Sequence, residues 1–101
     1  MKLAGLVILA AVLVFFTGIA SADTQVSIKD FKFQPDQVTI KKGDTVIWTN
    51  IDPVPHDVKS KGFESPDMKK GETYSKTFNE AGTFDYLCEI HPNMKGKVIV
   101  K

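Results

Sequence analysis

Short runs of alternating polar and apolar residues, separated by glycines and prolines, dominate the chain from residue 24 to its end. A two-residue period places successive side chains on opposite faces of an extended backbone, as in a half-buried β-strand. The runs fall at 24–29, 37–41, 45–50, 56–59, 73–78, 83–88 and 97–100. No stretch after residue 23 shows the sustained 3.6-residue period of a helix. The pattern therefore predicts an all-β fold, an antiparallel sandwich of about seven short strands.

The same alternation identifies the side chains that should fill the space between two sheets. Trp48 is the single tryptophan and the largest of them, which makes it the expected anchor of the core. The period also continues from the first strand through Phe31 and Phe33. The predicted core residues are Val26, Ile28, Phe31, Phe33, Val38, Ile40, Val46, Trp48, Phe84, Tyr86, Val98 and Val100.

The first 22 residues have the composition of a secretory signal peptide. Lys2 supplies the positive charge, residues 3–16 carry no charge, and Ala20-Ser21-Ala22 provides a small-x-small cleavage site. We therefore predict a signal peptide over 1–22, cleaved after Ala22, and a single domain over 23–101. The alternative is an uncleaved anchor helix, because the apolar stretch approaches the roughly 18 residues that a membrane span needs.

Composition limits what the domain over 23–101 can be. Its 79 residues allow one small core, in a size range where a bound metal often adds stability. A single cysteine cannot form an internal disulfide. Without Lys2 the domain has 12 lysines, no arginine and 12 acidic residues, so no basic surface for nucleic acid is indicated. Membrane attachment is expected only if the leader is retained.

The chemistry-bearing residues are concentrated near the C-terminus. Cys88, His91 and Met94 follow one another at intervals of three, and His56 lies upstream after two prolines. One thiolate, two imidazoles and one thioether form the ligand set of a type 1 copper centre. The cluster uses every cysteine and histidine in the chain. We therefore predict one copper ion, Cu(I) or Cu(II), held by His56, Cys88, His91 and an axial Met94.

Other interpretations of these residues exist. Zinc also binds one cysteine and two histidines in catalytic sites, but a thioether contributes little to zinc. Without a metal, Cys88 would be a small buried hydrophobe, Met94 a core residue and the histidines surface residues. Each of these interpretations is plausible for one residue, but together they would require all four to share this spacing by accident.

The motif Cys88-x-x-His91-x-x-Met94, followed by Lys95-Gly96-Lys97-Val98, resembles the ligand loop of the cupredoxins, the small blue copper proteins. The short loop is most similar to that of amicyanins, and the similarity covers the chain from Val26 through Val100. It implies a Greek-key β-sandwich of seven to eight strands. It also implies the four copper ligands named above, with electrons entering and leaving through the exposed edge of His91.

The resemblance further implies an electron carrier and not an enzyme. Its partners would be redox proteins that bind transiently: a dehydrogenase or cytochrome as donor, and an oxidase or cytochrome as acceptor. We expect a monomer in the periplasm or at the cell surface. Extracytoplasmic copper binding or delivery is the main alternative, although delivery sites are usually richer in methionine. A metal-free interaction domain is a further alternative.

Two features near the expected ligands bear on redox function. Family members usually carry an asparagine after the first histidine, where this chain has Asp57. An ionised carboxylate there should favour Cu(II) and lower the reduction potential. The ligands are also flanked by Pro53, Val54, Pro55, Pro92 and Asn93, with Phe63 and Met68 as further candidates. These residues predict either an apolar docking patch around His91 or loops whose shape the prolines merely fix.

Overall fold

The structure is a computed structural model that describes residues 20–101. The predicted signal peptide lies outside this range except for its last three residues. Seven strands are present among the described residues: β1 (Asp23–Lys29), β2 (Lys32–Gln34), β3 (Gln37–Ile40), β4 (Thr45–Asn50), β5 (Thr73–Thr77), β6 (Gly82–Leu87) and β7 (Lys95–Val100). No helix long and apolar enough to span a membrane occurs in that part of the chain.

The strands form two sheets, which confirms the predicted all-β sandwich. One sheet has the order β2-β1-β4-β5 and the other has the order β3-β7-β6. Two of the pairings, β1 with β4 and β3 with β7, run parallel, and the other three run antiparallel. The parallel pairs arise because the chain passes to the opposite sheet before it returns to pair with an earlier strand.

The core between the sheets follows the alternation in the sequence at most positions. Ten of the twelve predicted core residues are buried, and Trp48 is completely inaccessible. Phe84 is only half-buried and packs against the edge of this core. The loops that follow β4 and β6 contribute further buried side chains that strand periodicity did not identify, among them Val58, Met68 and Met94.

The prediction for Phe31 was wrong, because its side chain is 48% exposed. β1 ends at Lys29, and Asp30 and Phe31 form a two-residue turn in which both backbones have positive φ, 54° and 57°. The tight turn reverses the chain into β2, where Phe33 is buried. Alternation therefore breaks at the turn and resumes after it, which leaves Phe31 outside the core.

One end of the sandwich collects the ends of three strands. β1 and β4 are parallel and pair Ile28 with Asn50, so the turn at 30–31 lies beside the loop that follows β4. Leu87 at the end of β6 exchanges two backbone hydrogen bonds with Lys59 of that same loop. The loops carrying the predicted ligands therefore meet at this end.

Candidate metal centre

The ligand loop after β6 is closed by its own backbone. The His91 amide donates to the Cys88 carbonyl at 3.2 Å, and the Met94 amide donates to the His91 carbonyl at 2.9 Å. The Cys88 amide donates to the Met94 carbonyl at 3.1 Å and completes the ring. Two successive turns thus bring the three residues together, as their spacing of three predicted.

The loop carrying His56 is held by a buried asparagine at the end of β4. The Asn50 amide group donates to the carbonyls of Val54 and Met68, at 2.9 and 2.8 Å. Its carbonyl oxygen accepts a hydrogen bond from the Asp52 backbone at 2.9 Å. His56 also exchanges two backbone hydrogen bonds with Met68. The position of His56 is therefore fixed by these hydrogen bonds.

Three of the predicted ligands converge on a single point. Cys88 Sγ lies 3.7 Å from His56 Nδ1 and 3.8 Å from His91 Nδ1, and the two nitrogens are 3.2 Å apart. Three donors at about 2.0–2.3 Å from a common metal would be separated by about 3.3–3.8 Å. The observed triangle is close to this size, so the donor set fits a metal ion without rearrangement.

Met94 completes the set at the end of the closed loop. Its side chain is buried, as are those of Cys88 and His56, while His91 is half-buried. A trigonal Cys and two His arrangement with a methionine is the type 1 copper arrangement, and a thioether is a soft donor suited to copper. His56, Cys88, His91 and Met94 therefore form a type 1 site arrangement.

The Cys88 thiol is completely buried. Burial raises its pKa, although backbone amides of Asp57, His91 and Ile90 act in the opposite direction. One of these, the Asp57 amide, lies 3.5 Å from Sγ. A thiol with a raised pKa carries its proton at neutral pH, so coordination to a metal would be required to hold the thiolate.

Asp57 connects the two ligand loops. Its buried carboxylate accepts a hydrogen bond from the Glu89 amide at 2.6 Å, while its own amide points to Cys88 Sγ. The carboxylate thus accepts a hydrogen bond from the facing loop. The hydrogen bond also places the Asp57 carboxylate next to Glu89, the residue that follows Cys88.

Asp52 orients His56, and the sequence analysis did not identify it. Asp52 Oδ2 lies 2.8 Å from His56 Nε2, which fixes that nitrogen as the donor and leaves Nδ1 free to face Cys88. Burial acts to raise the Asp52 pKa, but hydrogen bonds from Phe31, His56 and Asp30 outweigh it and lower the pKa. The signal available in the sequence was a carboxylate four residues before the histidine.

The surface around the site is more apolar than predicted. Three large hydrophobic residues are exposed there or beside it: Phe31, Ile51 and Ile90. The Phe31 ring lies close to both His56 and His91, with centroids 5.1 and 4.9 Å apart.

Most of the patch predicted from the sequence is also at the surface. Exposed members are Pro53, Pro55, Pro92 and Asn93, and Val54 is half-buried. The suggestion that Phe63 and Met68 join the patch was wrong. Met68 is buried, and Phe63 packs against Trp48 and Phe78 on the core.

Comparison with known proteins agrees with the geometry. Residues 20–101 match the model of the copper binding proteins, plastocyanin/azurin family. The chain is 43% identical over 88 residues to amicyanin-alpha of Methylorubrum extorquens, covering 80% of this chain and 74% of that protein. It is 37% identical over 84 residues to plastocyanin of Scenedesmus fuscus, covering 68% and 86%.

A solved structure of a reduced Cu(I) amicyanin variant superposes with a TM-score of 0.76 at 40% identity, covering 82% of this chain and 86% of that one. Amicyanin and plastocyanin are electron carriers. The fold, the converging donor triangle and these matches agree with one another. The chain belongs to the plastocyanin/azurin family of copper-binding proteins, the cupredoxins.

Proposed function

We propose that this protein carries single electrons between redox proteins outside the cytoplasm, with copper held by His56, Cys88, His91 and an axial Met94. The observation that carries the proposal is the preformed triangle of Cys88 Sγ and the two histidine Nδ1 atoms. Copper supplies the change between Cu(I) and Cu(II), and the protein supplies a fixed set of donors.

The supporting hydrogen bonds explain how the donors keep their positions. Asn50 holds the first loop, Asp57 ties it to the second, and the second loop closes on itself through Cys88 and Met94. A site whose donors move little when the charge changes favours fast electron transfer. The same rigidity argues against copper delivery, because a delivery site must open to release its ion.

Electrons would pass through the edge of His91. Among the four proposed ligands, His91 is the half-buried one, and the other three are buried. The exposed side chains of Ile90 and Pro92 flank it in sequence. An apolar surface around one accessible ligand edge suits close and short-lived contact with a partner. The partners would be a dehydrogenase or cytochrome as donor and an oxidase or cytochrome as acceptor, with this protein acting as a monomer.

The donor set also supports a carrier and not an enzyme. Catalytic metal sites keep a coordination position open for water or substrate. Here Met94 is buried at the end of the same loop and would occupy the remaining position, and Cys88 has no exposed surface. No substrate could reach the thiol without opening of the loop.

We further propose that residues 1–22 are a signal peptide and that 23–101 form the mature domain. Two facts support this: β1 begins at Asp23, and residues 20–22 before it are exposed, so the core does not depend on the leader. The mass of the exported protein tests this boundary directly. A mass that includes the leader would favour the retained anchor instead.

The visible absorption spectrum after addition of Cu(II) to the protein tests the electron-transfer proposal. An intense orange-red band that is lost in Cys88→Ser, together with reversible one-electron voltammetry, is expected. A colourless protein that binds Cu(I) tightly would favour copper delivery. A protein that binds neither copper ion would contradict the ligand assignment.

A further inference from the structure

The turn between β1 and β2 contains a bulky residue in an unfavourable conformation. Phe31 has φ of 57° and follows Asp30, which has φ of 54°. Two-residue hairpin turns with positive φ at both positions strongly prefer Asn-Gly or Asp-Gly, because a glycine has no Cβ to collide with the backbone. Aspartate tolerates this conformation, whereas phenylalanine in it is strained.

Core packing does not explain the phenylalanine. Its side chain is 48% exposed, and the buried aromatic residue of this hairpin is Phe33, two positions later. Strained non-glycine residues that persist in a structure cluster at functional sites. The contacts of the Phe31 ring therefore indicate which function this strained conformation serves.

A single carboxylate holds the turn and the first histidine together. Asp52 accepts hydrogen bonds from the backbone amides of Asp30 and Phe31, at 2.7 and 2.9 Å. The same carboxylate lies 2.8 Å from His56 Nε2. The turn is thus fastened directly to the residue that orients a proposed ligand.

The turn places the Phe31 ring against both histidines. The ring centroids are 4.9 Å apart for His91 and 5.1 Å apart for His56, with interplanar angles of 81° and 88°. Both pairs have the edge-to-face geometry that aromatic rings prefer. One side chain therefore covers part of two imidazoles at once.

His91 needs such a contact more than His56 does. His56 is oriented by Asp52, but within residues 20–101 the His91 imidazole has no hydrogen bond to a carboxylate or carbonyl. Its Nδ1 faces Cys88 and His56, which are the other members of the donor triangle. Ring packing is then what fixes the orientation of this half-buried side chain.

We propose that Phe31 is a positioning residue of the copper site, whose strained turn keeps an aromatic ring against His91 and His56. The ring restricts rotation of His91 and keeps water from the edges of both imidazoles, which slows the loss of copper. This inference rests on the proposed function, because it assumes that the two histidines bind the metal.

The test compares Phe31→Gly with Asp30→Gly and Phe31→Tyr. Phe31→Gly removes the ring and relieves the strain, whereas Asp30→Gly places glycine in the same turn and keeps the ring. Phe31→Tyr keeps an aromatic ring at the same position. Two quantities are measured for each: the rate at which excess EDTA bleaches the orange-red band of the Cu(II) protein, and the melting temperature of the metal-free protein.

Phe31→Gly is expected to lose copper about tenfold faster than wild type. The melting temperature of its metal-free form is expected to change by less than about 4 °C, because the turn strain that glycine relieves is offset by the lost ring contacts and the freer unfolded chain. Asp30→Gly and Phe31→Tyr should release copper at the wild-type rate. Faster copper loss with little change in melting temperature separates positioning from general stabilisation, because removal of a ring that mainly stabilised the fold would lower the melting temperature.

Equal copper release from Phe31→Gly and Asp30→Gly would overturn the inference. A fall of more than about 4 °C in the melting temperature of metal-free Phe31→Gly would also overturn it, since the ring would then mainly stabilise the fold itself. Failure of the proposed function is distinguishable, because wild-type protein would then develop no orange-red band at all.

Discussion

Replacement of Asp52 by asparagine is expected to raise the reduction potential of the copper site. The change removes one negative charge behind His56 and keeps the size of the side chain. Hydrogen bonds lower the Asp52 pKa, so the carboxylate is ionised at pH 7. A negative charge stabilises Cu(II) more than Cu(I), and its removal therefore favours reduction.

The size of the effect follows from the distance. Asp52 Oδ2 lies 2.8 Å from His56 Nε2, and an ion bound across the imidazole, with a metal–nitrogen bond of about 2.0 Å, would lie about 7 Å from that oxygen. At this distance one charge contributes about 2.4 kcal/mol at a dielectric constant of 20, and about 0.6 kcal/mol at 80. For one electron these energies correspond to about 100 and 25 mV. Since Asp52 is only 5% exposed, we expect a rise of about 60–100 mV.

Voltammetry of the copper-loaded protein at pH 7 measures this shift. Asp23→Asn is the matched control, because it removes the same charge from an exposed residue far from the site. Asp23 is the first residue of β1, whereas the turn that contacts Asp52 follows the last residue of that strand. Seven residues of extended strand separate the two ends by about 20 Å. An Asp52→Asn potential that equals or falls below that of the control would refute the electrostatic role of Asp52.

Three further outcomes are expected. Asp57→Asn should raise the potential by about 25–100 mV, because it removes a buried charge beside the ligand loops; voltammetry showing no change or a decrease would contradict this. Gly96→Ala should destabilise the fold by about 1–3 kcal/mol in denaturant titrations, since the new methyl group would overlap the buried Tyr86 ring. Gly62→Ala, where no atom lies nearby, is its control, and equal stabilities would rule out the overlap. Burial raises the Cys88 pKa above its usual value, so the thiol holds a proton that copper must displace on binding. The affinity of the protein for Cu(I) should therefore rise about tenfold per pH unit between pH 6 and 8. A Cu(I) affinity that does not change with pH in chelator competition would indicate that Cys88 is already a thiolate without copper.

The donors of the metal site could be predicted from the sequence because residue type and local spacing carry the information. Cys88, His91 and Met94 are brought together by two consecutive turns of one loop, so their separation along the chain already sets their separation in space. His56 was identifiable because the chain has only one other histidine. Alternation likewise identified most of the core, including Trp48.

The residues that support those donors could not be predicted in this way. Asp52 and Phe31 are 21 residues apart, and they meet because β1 and β4 pair in parallel. Periodicity predicts that a strand exists but does not say which strand lies beside it. Phe31 was misassigned for a related reason: a two-residue turn interrupts the period of two, and the local pattern through Phe33 conceals the interruption.

The attachment of His56 and Cys88 to different sheets has a consequence for the unfolded chain. His56 lies on the connection from β4 to β5, in one sheet, and Cys88 begins the connection from β6 to β7, in the other. An ion bound to both residues cross-links two points of the chain that are roughly 30 residues apart. The entropy that such a cross-link removes from the unfolded chain corresponds to a stabilisation of about 3–4 kcal/mol. Copper would then act as the cross-link that a chain with one cysteine cannot make with sulfur alone, and loss of the ion would act on stability much as reduction of a disulfide does.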